Sequence, residues 1–259
     1  MTGEAITLDV DDDSGVATIT VDRPAQLNAL TVDALEALGD ALDEAAEAGA
    51  RALVIAGAGD EAFIAGADIS YMVDLSTPEA QAYAELGHRV ANAIESFPAP
   101  TVAAVDGYAF GGGAEIALAC DLRIAAERAV IGQTEIDLGI IPGWGGTQRL
   151  PRLVGDETAR RLIFLGERID ASEAADIGLV GEVVPDDAFD ERIAELSRGL
   201  AAKPAVATRA AKEALDAARD GSTETGLALE RRAWAGLFGT HDQREGMAAF
   251  VEKREPEFE

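Results

Sequence analysis

Residues 100–121 read Pro100-Thr-Val-Ala-Ala-Val-Asp-Gly-Tyr-Ala-Phe-Gly-Gly-Gly-Ala-Glu-Ile-Ala-Leu-Ala-Cys-Asp121. Thr101–Val105 is a short apolar run with β-branched residues, bounded by Pro100 and by Asp106-Gly107, the pattern of a buried strand followed by a turn. After Gly111-Gly112-Gly113, the segment Ala114–Ala119 is β-branched only at Ile116 and suits a helix. Glycines at a helix start leave backbone N–H groups approachable, and the helix dipole favours negative charge there. Glu115 falls in the first turn of this otherwise apolar helix. Taken alone, such glycines are most often a packing device and such a glutamate a charge that suits the helix end. Residues 131–149, Ile131-Gly-Gln-Thr-Glu-Ile-Asp-Leu-Gly-Ile-Ile-Pro-Gly-Trp-Gly-Gly-Thr-Gln-Arg149, place a second acid, Glu135, beside a second glycine-rich turn. Two such pairings in apolar surroundings point to a site.

The 259 residues suffice for one large domain, or for a domain with an appendage. Acidic residues outnumber basic ones 48 to 21, a formal net charge of −27, and the only lysines are Lys203, Lys212 and Lys253. Such a surface repels phosphate backbones and anionic lipid, so neither nucleic acid nor membrane is an expected partner. A hydrophobic content of 48% excludes a disordered acidic chain. The acid is spread along the chain, which fits a salt-rich cytosol where a Debye length of ~3 Å at 1 M removes self-repulsion. Cys120 is the single cysteine, so no intrachain disulfide or cysteine metal cluster is expected. The first residues have neither a positive region nor an apolar core, and residues 101–119 are broken by Asp106, Glu115 and glycines. The expectation is a cytoplasmic protein without secretory signal or membrane span.

Ile6–Val10 and Val16–Asp22 alternate about Asp11–Gly15 and predict a β-hairpin. Thr31 is placed to cap a helix carrying Leu35, Leu38 and Leu42 on one face and stopped by Gly49. Arg51–Gly57 reads as a buried strand, residues 58–69 as a loop, and Thr77-Pro78-Glu79 as the start of a helix to about Phe97. Leu122–Ala125 and Ala129–Ile131 read as short strands, Asp170 to Glu173 as a capping box, and Gly178–Pro185 as turn plus strand. From Asp187 the pattern is helical, with Pro204 and Thr240 opening helices. This shift suggests a strand-containing body over residues 1–190 and a helical region over 191–259. No sequence repeat or low-complexity segment is evident.

Several chemistries fail on the residues. Gly57-Ala58-Gly59-Asp60-Glu61-Ala62 has the outline of a dinucleotide loop but is followed by Phe-Ile-Ala-Gly-Ala-Asp instead of a helix start. Pro142–Thr147 lacks the lysine of a phosphate loop. His88 and His241 have no second ligand near them in sequence, so no metal site is expected, and no serine sits in a Gly-x-Ser-x-Gly elbow. What remains is a glutamate pair beside glycine-rich backbone. A carboxylate pair can take a proton from water and deliver one to carbon if burial keeps one of them near working pH. Bare N–H groups can hold an oxyanion, an effect worth ~3–4 kcal/mol per donor. Together these suggest an enolate formed next to a carbonyl.

The sequence resembles the crotonase superfamily, and within it the enoyl-CoA hydratases. The matching pieces are Asp22-Arg-Pro-Ala-Gln-Leu-Asn-Ala-Leu30, Ala62-Phe-Ile-Ala-Gly-Ala-Asp-Ile69, Gly107-Tyr-Ala-Phe-Gly-Gly-Gly-Ala-Glu115, Gln133-Thr-Glu-Ile136, Gly139–Arg149 and Glu245–Arg254, in the family's order. The resemblance implies an α/β fold, a crotonase-like spiral of ββα units followed by a C-terminal helical region that makes a homotrimer or a dimer of trimers. It implies an oxyanion hole from the N–H groups of Ala67 and Gly112 around the thioester of an acyl-coenzyme A. Glu115 and Glu135 match the family's acids, which hold the water and exchange a proton with the α carbon. Water then adds to a trans-2-enoyl-CoA to give a 3-hydroxyacyl-CoA, with coenzyme A as part of the substrate and no other cofactor. By the same match Ala65, Asp68, Ile69 and Gly143 lie along the substrate, and Phe250 and Lys253 touch the nucleotide from a neighbouring subunit.

Many relatives carry lysines where this chain has Ala25, Gln26 and Ser70, so the phosphate contacts are expected to be weaker, to use Arg23 or to depend on salt. Relatives that isomerise, decarboxylate or hydrolyse commonly keep one acid, so the pair favours hydration over an enoyl-CoA isomerase. A 3-hydroxyacyl-CoA dehydratase is the same chemistry reversed. A non-catalytic acyl-CoA-binding or RNA-binding relative would show lost glutamates or a basic patch, and the chain has neither.

Overall fold

The computed structural model describes residues 5–259. Its hairpin is the one the alternation predicts: β1 (Ile6–Asp11) runs antiparallel to β2 (Val16–Val21). A 3-10 turn at Pro24–Gln26 leads to α1 (Val32–Glu47), where the Thr31 side chain accepts the Ala34 N–H at 3.1 Å and Leu35, Leu38 and Leu42 are buried. β3 (Ala52–Gly57) follows, its first four residues fully covered.

From there the chain climbs a spiral. Each pass lays one strand in a six-stranded sheet of order β1-β2-β3-β5-β7-β10 and the next in a four-stranded sheet of order β4-β6-β8-β9. The first pass is β3, β4 (Ala62–Ile64), a short α2 (Ile69–Met72) and α3 (Thr77–Glu95). The second is β5 (Thr101–Val105), β6 (Tyr108–Phe110) and α4 (Gly112–Ala119). The third is β7 (Leu122–Ala126), β8 (Val130–Gly132), α5 (Gly146–Val154) and α6 (Asp156–Leu165). β9 (Arg168–Asp170) closes the small sheet antiparallel to β8; α7 (Ala171–Asp176) then leads to β10 (Glu182–Val184), parallel to β7.

The span expected to be a loop, 58–69, therefore contains β4 and the first residue of α2. A three-residue strand buried on both sides gives no alternation for a sequence to display. Only half of the predicted capping box forms at Asp170, which accepts the Glu173 N–H at 2.8 Å while the Glu173 carboxylate turns out to Arg161. Ser76 and Glu79 form a box that the reading passed over, with the Ser76 N–H donating to Glu79 Oε2 at 2.8 Å.

The principal core fills the space between the sheets and α1, α3 and α4. A second layer lies on the other face of the large sheet, where Phe189, Ile193 and Ala201 of α8 (Phe189–Ala201) cover Val54, Val102, Ala104 and Ile124. The helical run after residue 190 thus begins with a helix that covers the sheet. α9 (Ala205–Asp220) pairs with α10 (Thr223–Leu237) and is pinned by Lys212 Nζ, 2.8 Å from Asp121 Oδ2. α11 (His241–Glu252) ends the chain's regular structure. Among the described residues no helix is long and apolar enough to cross a membrane.

Candidate active site

The site opens where β6 turns into α4. Gly111, at φ 50°, donates its N–H to Gly132 O at 2.9 Å and so ties the turn to β8. Gly112 is the first residue of α4, and its N–H is one of the donors that a helix start leaves without an intrahelical partner. On the facing segment, Leu30 N–H bonds Gly66 O at 2.8 Å and Asp68 N–H bonds Leu30 O at 2.9 Å. Ala67 lies between these bonds, and among the described residues neither its N–H nor that of Gly112 donates to a protein group. The two segments touch: a Cβ added to Gly66 would lie 3.0 Å from Phe110 O and 3.9 Å from Gly112 N. Both free N–H groups belong to residues lining one cleft of about 370 Å³.

Glu115 and Glu135 line the same cleft. Glu115, 2% exposed, has Oε1 fixed by the N–H groups of Trp144 and Gly146, each at 2.7 Å. Burial pushes its pKa up to about 7, against the pull of those N–H donors. Glu135, at the start of the 3-10 turn Glu135–Leu138, has neither carboxylate oxygen bonded, though both are buried. Its pKa is also pushed up to about 7, first by burial and then by the charge of Glu115. Backbone donors favour the charged form of the acid they hold, and an unpartnered buried carboxylate is the better place for a proton. Of the two, Glu115 is therefore the acid held toward its charged form and Glu135 the better seat for a shared proton.

Behind Glu115 stands Trp144. Its indole is clamped between α3 and α4, where a Cβ on Gly87 would come within 2.1 Å of it and a Cβ on Gly112 within 2.2 Å. Tyr83 meets it edge-on at 5.7 Å and sends its hydroxyl to Leu30 O at 3.0 Å. Among the described residues no group of three or more His, Cys, Asp or Glu is placed to hold a metal.

Comparison with known proteins now bears on this geometry. The sequence model described as "Enoyl-CoA hydratase/isomerase" matches residues 11–259. The chain belongs to the enoyl-CoA hydratase/isomerase family. It is 41% identical over 244 residues to a crotonyl-CoA hydratase of Syntrophomonas wolfei, covering 94% of each chain. It is 42% identical over 243 residues to a short-chain-enoyl-CoA hydratase of Clostridium acetobutylicum, covering 93% of each. The crystal structure of an enoyl-CoA hydratase from Bacillus anthracis superposes with a TM-score of 0.94 at 40% identity, covering 98% of this chain and 99% of that one. The fold is that of the crotonase superfamily.

Of the residues singled out in the sequence, Ala65, Ala67, Ile69, Gly112, Glu115, Glu135 and Gly143 all line this cleft. Asp68 does not. Its carboxylate caps α2, accepting the Ser70 N–H at 3.0 Å, because the residue after the Ala67 bridge begins a helix. Phe250 is 85% exposed on α11 and Lys253 ends that helix in the left-handed conformation at φ 59°; neither lines the cleft of its own chain. The reading missed the apolar wall that this family member presents through Met72, Leu75, Tyr83, Leu138 and Trp144. An apolar residue looks the same in a string whether it lines a core or a cleft; only Trp144, within a glycine run, carried a visible signal.

Proposed function

We propose that this protein is an enoyl-CoA hydratase that adds water to a trans-2-enoyl-CoA. The observation that carries the reading is one cleft holding an ionisable pair with unequal partners beside two backbone N–H groups with none. The thioester oxygen takes the N–H groups of Ala67 and Gly112, which stabilise it most when it becomes an enolate oxygen. Ionised Glu115 accepts a proton from water as the water oxygen bonds the β carbon. The π electrons of the double bond move toward the thioester oxygen, and protonated Glu135 then supplies the hydrogen of the α carbon. One water is added, one proton has passed from Glu135 to Glu115, and its return through the pair resets the site. Run backward, the same steps dehydrate a 3-hydroxyacyl-CoA; the concentrations of the two thioesters set the direction.

The substrate brings the coenzyme, and the reading needs no other cofactor. Arg23, whose guanidinium donates to Ala29 O and whose charge reaches Asp68, stands in for the missing lysines at Ala25, Gln26 and Ser70. Assembly as a trimer, or a dimer of trimers, in the cytoplasm completes the proposal. It is supported by Trp234, Phe250 and Val251, exposed to 64%, 85% and 79% on α10 and α11. Across such an interface Phe250 and Lys253 reach the coenzyme of the adjoining subunit. The body over residues 1–190 then carries the chemistry and 191–259, beyond the part of α8 that covers the large sheet, the assembly.

The test is incubation with crotonyl-CoA, following the absorbance of the conjugated thioester, beside a 3-enoyl-CoA. Loss of the crotonyl absorbance with formation of 3-hydroxybutyryl-CoA is expected. Conversion of the 3-enoyl-CoA alone would replace the hydratase reading with an isomerase.

A further inference from the structure

The chemistry above uses none of the side chains that hold residues 143–146, yet that loop supplies both donors to Glu115. It is Gly143-Trp144-Gly145-Gly146, a stretch with little intrinsic stiffness. Arg149, in the first turn of α5 and 9% exposed, lies against it. Its Nη1 donates to Trp144 O at 3.0 Å. The other end of the guanidinium is fixed to α3, through Nη2 to Asn92 Oδ1 and Glu95 Oε2, both at 2.7 Å, and through Nε to Glu95 Oε2 at 3.2 Å. Glu95 is itself held from α9 by Arg219 at 2.9 Å. Gly145, at φ 113°, sits directly on the guanidinium: a Cβ there would lie 2.1 Å from Arg149 Nη1.

We infer that Arg149 is a positioning residue for this reaction: by gripping the Trp144 carbonyl from a mount on α3, it keeps the Trp144 and Gly146 N–H groups on Glu115 Oε1. It touches neither the thioester nor the water. Its planar fork is suited to the task, since it reaches three acceptors on two elements at once, which a single ammonium cannot. The link to Arg219 ties the same clamp to the C-terminal helices. The inference rests on the hydratase reading of the cleft.

Losing the two N–H bonds raises the proton affinity of Glu115, because they favour its charged form. The charged and titratable groups around it are Glu135 from the 3-10 turn, Tyr83 and Glu95 from α3, Arg149 from α5 and Arg219 from α9. Of these, Arg149 alone hydrogen-bonds the loop, at Trp144 O, while Tyr83 meets the Trp144 ring edge-on at 5.7 Å. A Glu115 that protonates more readily leaves less of the pair in the working arrangement at neutral pH, and moves the acid limb of kcat upward.

The experiment is the pH profile of kcat for crotonyl-CoA hydration by the full chain, wild type against Arg149→Lys and Arg149→Met, with Tm of each. Both variants are expected to lose about tenfold or more in kcat at pH 7 and to shift the acid limb up by about one pH unit. KM should stay within a few-fold, because Ala67 and Gly112 are untouched. Gly145→Ala, which keeps the arginine but displaces its guanidinium, should shift the profile the same way. A wild-type profile in Arg149→Lys would show that charge alone suffices and overturn the proposal. So would variants that lose Tm without moving the limb, or that cannot fold at all, since these assign Arg149 to maintaining the fold. Absence of hydration by the wild type would instead refute the reading beneath it.

Discussion

Glu135 shows how a residue can serve a reaction at the expense of the fold. Both of its oxygens are buried without a partner, and burial beside Glu115 pushes its pKa up to about 7. A carboxyl whose folded pKa lies above its unfolded value contributes its full stability below the unfolded pKa and loses it as pH rises through the folded one. Glu135→Gln should therefore leave stability nearly unchanged near pH 4, below the unfolded pKa, and raise it near pH 8, by about 3 kcal/mol at ~1.4 kcal/mol per pKa unit. Urea denaturation at the two pH values checks this, and an equal effect at both would contradict an ionised, unpartnered Glu135. The same substitution, and Glu115→Gln, should each lower kcat by ~100-fold or more while acyl-CoA binding survives. Near-normal turnover in either variant would remove that glutamate from the proton relay.

At the scale of elements, the site depends on how closely α3 and α4 approach the indole between them. Gly87 and Gly112 leave room for Trp144 and for nothing more. Gly87→Ala should cost about 1–3 kcal/mol through overpacking, and it should also reduce activity, because Trp144 N–H is one of the two donors to Glu115. Equilibrium unfolding and kcat measured together would show both effects; a stable variant with full activity would mean that the helices slide apart without disturbing the loop. Replacing Gly112 by proline would be a poorer probe of its N–H, since any side-chain atom there also meets the indole.

For the whole molecule, two features concern what surrounds the chain. In the proposed trimer the exposed apolar residues on α10 and α11 are covered by other copies, so Trp234→Glu should shift the mass in light scattering to that of a monomer and lower Tm. An unchanged mass would place the subunit interface elsewhere. The charge of −27 should make stability rise with salt, and Tm measured from low to molar KCl checks it. A flat response would dissociate the acidic surface from a salt-rich setting.

The string of residues determined the local events. Alternation about Asp11–Gly15 specified the hairpin, Thr31 the start of α1, and the β-branched run at Thr101–Val105 a buried strand, because each depends on neighbours a few positions apart. The glycines and the two acids also marked segments that come to line one cleft. Of the small sheet the sequence showed only β8, read at Ala129–Ile131; tertiary structure decided β4, β6 and β9, three-residue strands with no periodicity to read until they lie beside it. It alone made Glu115 and Glu135 unequal, since Trp144 and Gly146 reach Glu115 across a sequence distance of about 30 residues, while Glu135 is left bare. Proton affinity follows from what surrounds a carboxyl in space, and that is fixed only once helices α3, α4 and α5 have packed.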